Sequence, residues 1–191
     1  MKEMLTQFLI NLDKFSRNEV NAIVEHTETE SFKKGTIILK ESQISNECYF
    51  VLKGCIRQYQ LVNGEEKTTG FFIEGQAVVL YSSYLEKISS NYYLSCVEDS
   101  VLAIGTRGQE QELRQQYPNL EHLVYNLMSK DFIKAQEHIE LLKNYSPEER
   151  YLAVMQHQPE LVNRVPLHQI ASLIGITPES FGRIRKRILT K

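Results

Sequence analysis

Between about residue 30 and residue 105 the chain is written in short β-forming runs, each cut off by Gly, Asn or Ser. The runs are Thr36-Ile37-Ile38-Leu39, Cys48-Tyr49-Phe50-Val51-Leu52, Ile56-Arg57-Gln58-Tyr59-Gln60-Leu61-Val62, Gly70-Phe71-Phe72-Ile73, Tyr92-Tyr93-Leu94-Ser95-Cys96-Val97 and Val101-Leu102-Ala103-Ile104. Many short strands with regular turns imply a sandwich or a barrel. Asn63-Gly64, placed between two of the runs, predicts a tight hairpin, because both residues tolerate the positive φ that such a turn requires.

On either side of this block the apolar spacing is helical. Leu5, Phe8, Leu9, Leu12 and Phe15 recur at threes and fours, which predicts helix over residues 1 to about 27. After Tyr117, Pro118 sits where a first helical turn tolerates its missing N–H, and helix is expected to about Asn144. Within that helix Tyr125, Met128, Phe132, Ala135, Ile139 and Leu142 form a heptad seam of the coiled-coil type, expected to pair with a second copy of itself. Leu120, Leu123 and Leu127 lie on another face, suited to packing on the barrel. Ser146-Pro147-Glu148-Glu149 reads as a capping box that starts a new helix. The expected organisation is therefore N-terminal helices and barrel at 1–117, a dimerisation helix at 118–145, and a further helical domain at 146–191.

Composition narrows the function classes. The longest apolar runs are about four residues, as in Ala77-Val78-Val79-Leu80, far short of the roughly 20 that cross a bilayer. The N-terminus, Met1-Lys2-Glu3-Met4-Leu5-Thr6-Gln7, lacks the apolar core of a signal peptide, so a cytoplasmic protein without membrane contact is expected. Cys48, Cys55 and Cys96 match neither a disulfide framework nor a CxxC pair, and the five histidines fall in no metal-ligand spacing. No metal, cofactor or catalytic residue is expected. The net charge of −2 averages two unlike parts: residues 146–191 hold seven basic and four acidic groups, and the first 145 residues fifteen and twenty. Five of the basic groups fall in the last nine residues, a candidate contact for a polyanion.

The stretch 165–188 organises that charge. A short helix ending near Ile174 meets Gly175, able to take a left-handed turn; Thr177 then caps and Pro178 begins a second helix. At about 100° per residue Phe181, Ile184 and Ile188 share one face of the second helix, while Glu179, Arg183 and Lys186 lie opposite, flanked by Ser180 and Arg187. One face packs and the other can read a major groove. Arg183 suits guanine O6 and N7 and Glu179 a cytosine amino group, while Arg185, Lys186 and Arg187 suit phosphates. With Thr177, Ser180 and His168 these form the candidate DNA-binding set.

Residues 165–188 resemble the helix-turn-helix of the Crp/Fnr family of bacterial transcription regulators, with Gly175, Glu179, Gly182, Arg183 and Ile184 matching its pattern around the recognition helix. Residues 30–105 resemble the family's cyclic-nucleotide-binding-type barrel through Lys34-Gly35, Tyr49-Phe50-Val51-Leu52-Lys53-Gly54, Arg57 with Tyr59, Asn63-Gly64 and Gly75. The resemblance implies an α+β chain: an antiparallel jelly-roll barrel, a long dimerisation helix and a C-terminal helix-turn-helix. It implies a homodimer on a pseudo-palindromic operator in double-stranded DNA, RNA polymerase as a further partner, and a small-molecule effector of unknown identity in the barrel. Gly75, Gln76, Ala77, Ser89 and Ser90 are the candidate effector residues, near the tyrosines Tyr81, Tyr84, Tyr92 and Tyr93.

Three departures limit what transfers. Gly75-Gln76 replaces the Gly-Glu pair of cyclic-AMP members, and Ser89-Ser90-Asn91 stands where their Arg-Ser pair would lie, with no arginine between Arg57 and Arg107. A cyclic phosphate calls for that guanidinium, which argues against cyclic AMP. No cysteine precedes Cys48, so the N-terminal iron–sulfur cluster of oxygen-sensing members is not expected. Pro178 replaces the arginine that often begins the recognition helix, so the family's operator sequence does not carry over, and Lys191 leaves no room for a wing after that helix. Two other readings fit parts of the pattern: an interaction module that has lost DNA binding, and a cupin-like barrel enzyme. Arg183 and Glu179 on a free face weigh against the first, and the absence of histidine between His26 and His122 against the second.

Overall fold

The computed structural model describes residues 1–189. Helices α1 (Lys2–Asn11) and α2 (Arg17–His26) precede strands β1 (Glu28–Phe32), β2 (Ile37–Leu39), β3 (Glu47–Lys53), β4 (Ile56–Val62), β5 (Glu65–Phe72) and β6 (Ala77–Val78). A short helix α3 (Tyr81–Glu86) leads into β7 (Tyr93–Cys96) and β8 (Ser100–Thr106). The remainder is helical: α4 (Arg107–Gln116), α5 (Pro118–Asn144), α6 (Pro147–His157), α7 (Pro159–Arg164), α8 (Leu167–Leu173) and α9 (Pro178–Leu189). By contact the chain divides into two compact units, residues 1–58 with 71–130, and residues 59–70 with 131–191.

The strands form two four-stranded sheets, in the orders β1-β8-β3-β6 and β2-β7-β4-β5. In the first sheet β8 runs antiparallel to both β1 and β3, with Tyr49 opposite Ile104 and Val51 opposite Leu102. Side chains alternate across a strand, so Tyr49, Val51, Leu102 and Ile104 turn to one face and join Ile56, Val78, Leu94 and Cys96 in the barrel core. Their neighbours Phe50, Leu52 and Ala103 turn to the other face, where they pack with Leu5 and Leu9 of α1, Val20 and Ile23 of α2, and Leu120 and Leu123 of α5. Phe8 and Phe50 meet with ring centroids 4.5 Å apart.

Asn63 and Gly64 both take positive φ, 53° and 79°, and turn β4 back into β5, as the sequence predicts. The expected continuous helix over residues 1–27 is instead two helices. Asp13 adopts φ 50°, and Ser16 caps α2 by accepting from the Glu19 N–H while the Glu19 carboxylate accepts from the Ser16 N–H, so a new helix starts where the spacing alone suggested continuity. Strands β1 and β6 and helices α3 and α4 carry no periodic signal. Each of the two strands lies at a sheet edge, and β1 alternates exposed acids with half-buried positions.

Gly54, between β3 and β4, has φ 101°, and a Cβ there would meet the Ser100 Cα at 2.7 Å. Glycine is required on both counts. Gly54→Ala is expected to cost about 2–4 kcal/mol of stability, from left-handed strain plus a backbone clash, read as a lowered urea midpoint at unchanged slope.

Candidate nucleic-acid interface

The second unit carries the helix-turn-helix. α8 ends at Ile174, Gly175 takes φ 68°, and the Ile176 N–H donates to the Ala171 carbonyl at 3.0 Å, closing the turn. The Thr177 hydroxyl accepts from the Ser180 N–H, the N-cap bond that opens α9. Ile170, Ala171 and Ile174 of α8 and Phe181 and Ile184 of α9 are buried together with Tyr151 and Val154 of α6 and Leu161 of α7. Phe181 stands edge-on to Tyr151, centroids 5.1 Å apart and planes at 89°.

Burying Phe181 and Ile184 turns the opposite face of α9 outward. Glu179, Arg183, Lys186 and Arg187 are exposed, as are Thr177 and His168, while Ser180 and Arg185 are half-buried. The Arg183 guanidinium lies 3.4 Å from the Ser180 hydroxyl, its donors mostly directed to solvent. The Glu179 backbone N–H and the Thr177 hydroxyl hold the Glu179 carboxyl below the usual carboxylate range, so it is an ionised acceptor at neutral pH. Arg187 is already engaged by Glu148 of α6. Lys191, counted in the cationic end, lies outside the described residues.

The arginine that sequence reasoning missed is Arg150. Its guanidinium donates to three backbone carbonyls: Leu142 at 2.7 Å and Tyr145 at 2.9 Å, at the end of α5, and Ile174 at 3.1 Å, at the end of α8. Helix C-termini leave carbonyls unsatisfied and carry partial negative charge, so one planar cation closes two of them. Gly175 completes the joint through its φ of 68°, a backbone conformation that favours glycine, and lies in contact range of Arg150 and Leu142. The capping box at Ser146 lies where the sequence puts it: Ser146 accepts from the Glu149 N–H and donates its own N–H to the Glu149 carboxylate. The hairpin strand β5 also reaches α8, the Thr68 N–H donating to the Ser172 hydroxyl at 2.9 Å.

The heptad seam of α5 is laid out on the surface. Tyr125 and Phe132 are 67% and 64% exposed, Ile139 and Met128 are exposed beside them, and no residue of this 27-residue helix is buried. Ala135 is also exposed, whereas Leu142 is half-buried against the Gly175 turn.

The candidate effector residues serve local turns. Gly75 has φ 80°, the Gln76 side chain accepts from the Ile73 N–H, and the buried Ser90 hydroxyl bonds the backbone of Tyr92. Ser89 is exposed, and Ala77 lies in the edge strand β6. Among the described residues no group of His, Cys, Asp and Glu is arranged to hold a metal ion, and no helix is long and apolar enough to cross a membrane.

Residues 29–117 match the family model of the cyclic nucleotide-binding domain. Solved structures extend the likeness over most of the chain. The c-di-GMP responsive regulator CLP of Xanthomonas campestris is 18% identical with a TM-score of 0.72, each chain covered to 92%. FixK2 of Bradyrhizobium japonicum is 19% identical with a TM-score of 0.70, covering 86% of this chain and 85% of that one. A CRP/FNR-family transcriptional regulator of Thermus thermophilus is 20% identical with a TM-score of 0.65, covering 85% and 86%. The chain has the Crp/Fnr fold. The fold that the motifs imply thus holds. Electron transport regulator A of Shewanella oneidensis is 23% identical over 98% of this chain and 77% of its own length. CLP, the Thermus thermophilus protein and the Shewanella protein are named as regulators.

Arg150→Met keeps the side chain's length and removes its donors. It is expected to cost about 2–3 kcal/mol and to speed amide hydrogen exchange at the end of α5 and in the α8–α9 turn, with Arg150→Lys recovering only part, since a single ammonium cannot fork across three carbonyls.

Proposed function

We propose that this chain is a homodimeric transcription regulator that reads a pseudo-palindromic operator in double-stranded DNA through α9. The observation that carries the reading is the division of α9: Phe181 and Ile184 are buried, while Glu179, Arg183 and Lys186 stand together on the exposed face. Nothing in the packing of the domain requires an arginine and a glutamate one turn apart on a bare surface, and their mutual attraction there is worth only about 0.2–0.5 kcal/mol. Their chemistry fits base edges: a guanidinium for guanine, a carboxylate for a cytosine amino group. Arg185, Lys186 and Arg187, with Thr177, Ser180 and His168, supply phosphate contacts that set affinity and its salt dependence.

Dimerisation through α5 follows from its unburied seam. A helix with Tyr125, Met128, Phe132 and Ile139 in water gains by pairing them with a second copy, at about 25 cal/mol per Å² of apolar surface removed. Two-fold pairing presents two recognition helices to half-sites about one helical turn apart. Cyclic AMP is not the effector in this reading: Gly75-Gln76 shape a turn, and the segment between Arg57 and Arg107 offers no guanidinium for a cyclic phosphate. RNA polymerase would be the partner of an activating regulator, in the cytoplasm.

Selection of ligand-free protein against a random duplex pool should recover a palindrome. Arg183→Ala should weaken binding to it by roughly 1–3 kcal/mol and relax one base position in each half-site, with folding unchanged. Enrichment of nothing at low salt, or equal binding by the variant, would sink the assignment of α9. Phe132→Glu places a charge in the seam and should shift sedimentation from dimer to monomer, with loss of palindrome affinity and retention of weak half-site binding.

A further inference from the structure

The first unit holds a cavity of about 400 Å³ that lies outside the barrel. Its floor is the outward face of the first sheet, at Phe50, Ala77 and Ala103, opposite the face that fills the barrel core. α1 and α2 form one wall; α4 and the first half of α5, with Leu113 and Leu123, form the other. This is separate from the turns around Gly75 and Ser90, of whose candidate effector residues only Ala77 reaches it. Its volume falls within the range of small-molecule sites, about 300–1,000 Å³, and like them it is mostly apolar; His26 and Thr27 line it at the end of α2, and the acid and the base that line it, Glu110 and Arg114, sit together on α4.

Those polar groups define the head of the ligand. The Tyr84 hydroxyl donates to Glu110 Oε2 at 2.7 Å, and Arg114 donates to Glu110 Oε1 at 3.2 Å. The Cys48 thiol lies 3.8 Å from the same Oε2. Arg114 spends its other side on Glu121, at 2.5 and 2.9 Å. One guanidinium is thus shared between two carboxylates, and burial pushes the Cys48 thiol up to about 11, so it adds no charge at neutral pH. Glu110, Arg114 and Glu121 together carry a net charge of −1, and the Arg114 guanidinium is already forked between two of them; Lys87 stands 5.8 Å from the Tyr84 ring and Arg107 is held on the Leu85 carbonyl. A carboxylate or phosphate head directed at Glu110 meets repulsion from its carboxylate. A hydrogen-bond donor meets the Glu110 carboxylate, which retains lone-pair capacity beyond Tyr84 and Arg114.

We propose that this cavity binds a small, predominantly apolar molecule, aromatic or alicyclic, whose polar end is an uncharged or cationic N–H or O–H donor directed at Glu110. The proposal stands apart from the DNA-binding reading, since it uses residues of the first unit alone.

The test uses the full-length protein and two fluorescent probes that share one ring system: N-phenylnaphthylamine, neutral with an N–H donor, and its sulfonated analogue anilinonaphthalenesulfonate. The neutral probe is expected to saturate at one per chain and the sulfonate to bind at least tenfold more weakly. Glu110→Gln removes the negative excess and should narrow that ratio. Ala77→Phe fills the cavity from its floor and Leu123→Trp from a wall; each of them that retains the wild-type circular dichroism and melting temperature should weaken the neutral probe at least tenfold. Absence of saturable binding, unchanged affinity in a well-folded cavity-filled variant, or a sulfonate bound as tightly as the amine would each overturn the proposal.

Discussion

Strands β3 and β8 are buried on both faces, and most of the first unit follows from that. Tyr49, Val51, Leu102 and Ile104 close the barrel, so their neighbours Phe50, Leu52 and Ala103 cannot be left in water and must be covered from outside. α1, α2 and the start of α5 supply that cover with Leu5, Leu9, Ile23 and Leu123. A single antiparallel sheet more commonly keeps one face wet. Here the outer face is apolar too, which fixes the N-terminal helices to the barrel and leaves a cavity where the helices span it without filling it.

The second unit solves a different problem, the ending of helices. α5 stops at Asn144 and α8 at Leu173, and each leaves carbonyls that water or a cation must satisfy. Arg150 answers for both, and Gly175 supplies the left-handed turn that brings the end of α8 to the guanidinium. The hinge-like junction between the long helix and the helix-turn-helix is thereby a packed, hydrogen-bonded joint.

Much of this was legible before any coordinates. The six β runs, the Asn63-Gly64 hairpin, the 118–144 helix, the Ser146 capping box and the Gly175 turn each rest on interactions within a few residues, so local sequence reports them faithfully. The break after Asn11 was hidden because apolar spacing continues through Leu12 and Phe15, while the interruption is made by Asp13 and by the Ser16 cap. β1 was hidden because an edge strand needs little apolar content. At the candidate interface, the free and packed faces of α9 were readable from periodicity alone. The pairing of Arg187 with Glu148 was not, since it joins residues 39 apart in sequence.

By itself, then, the sequence determined the order of barrel, long helix and helix-turn-helix, and the amphipathic division of α9, because periodicity and capping act over one or two turns. Only the tertiary structure decided what Arg150, Tyr84 and Glu110 are for. Arg150 serves carbonyls at positions 142, 145 and 174, and Glu110 meets Cys48 from β3 and Tyr84 from α3. Long-range hydrogen bonds of this kind leave no spacing in the chain, and they arise only when the sheets and helices have already brought their donors and acceptors together.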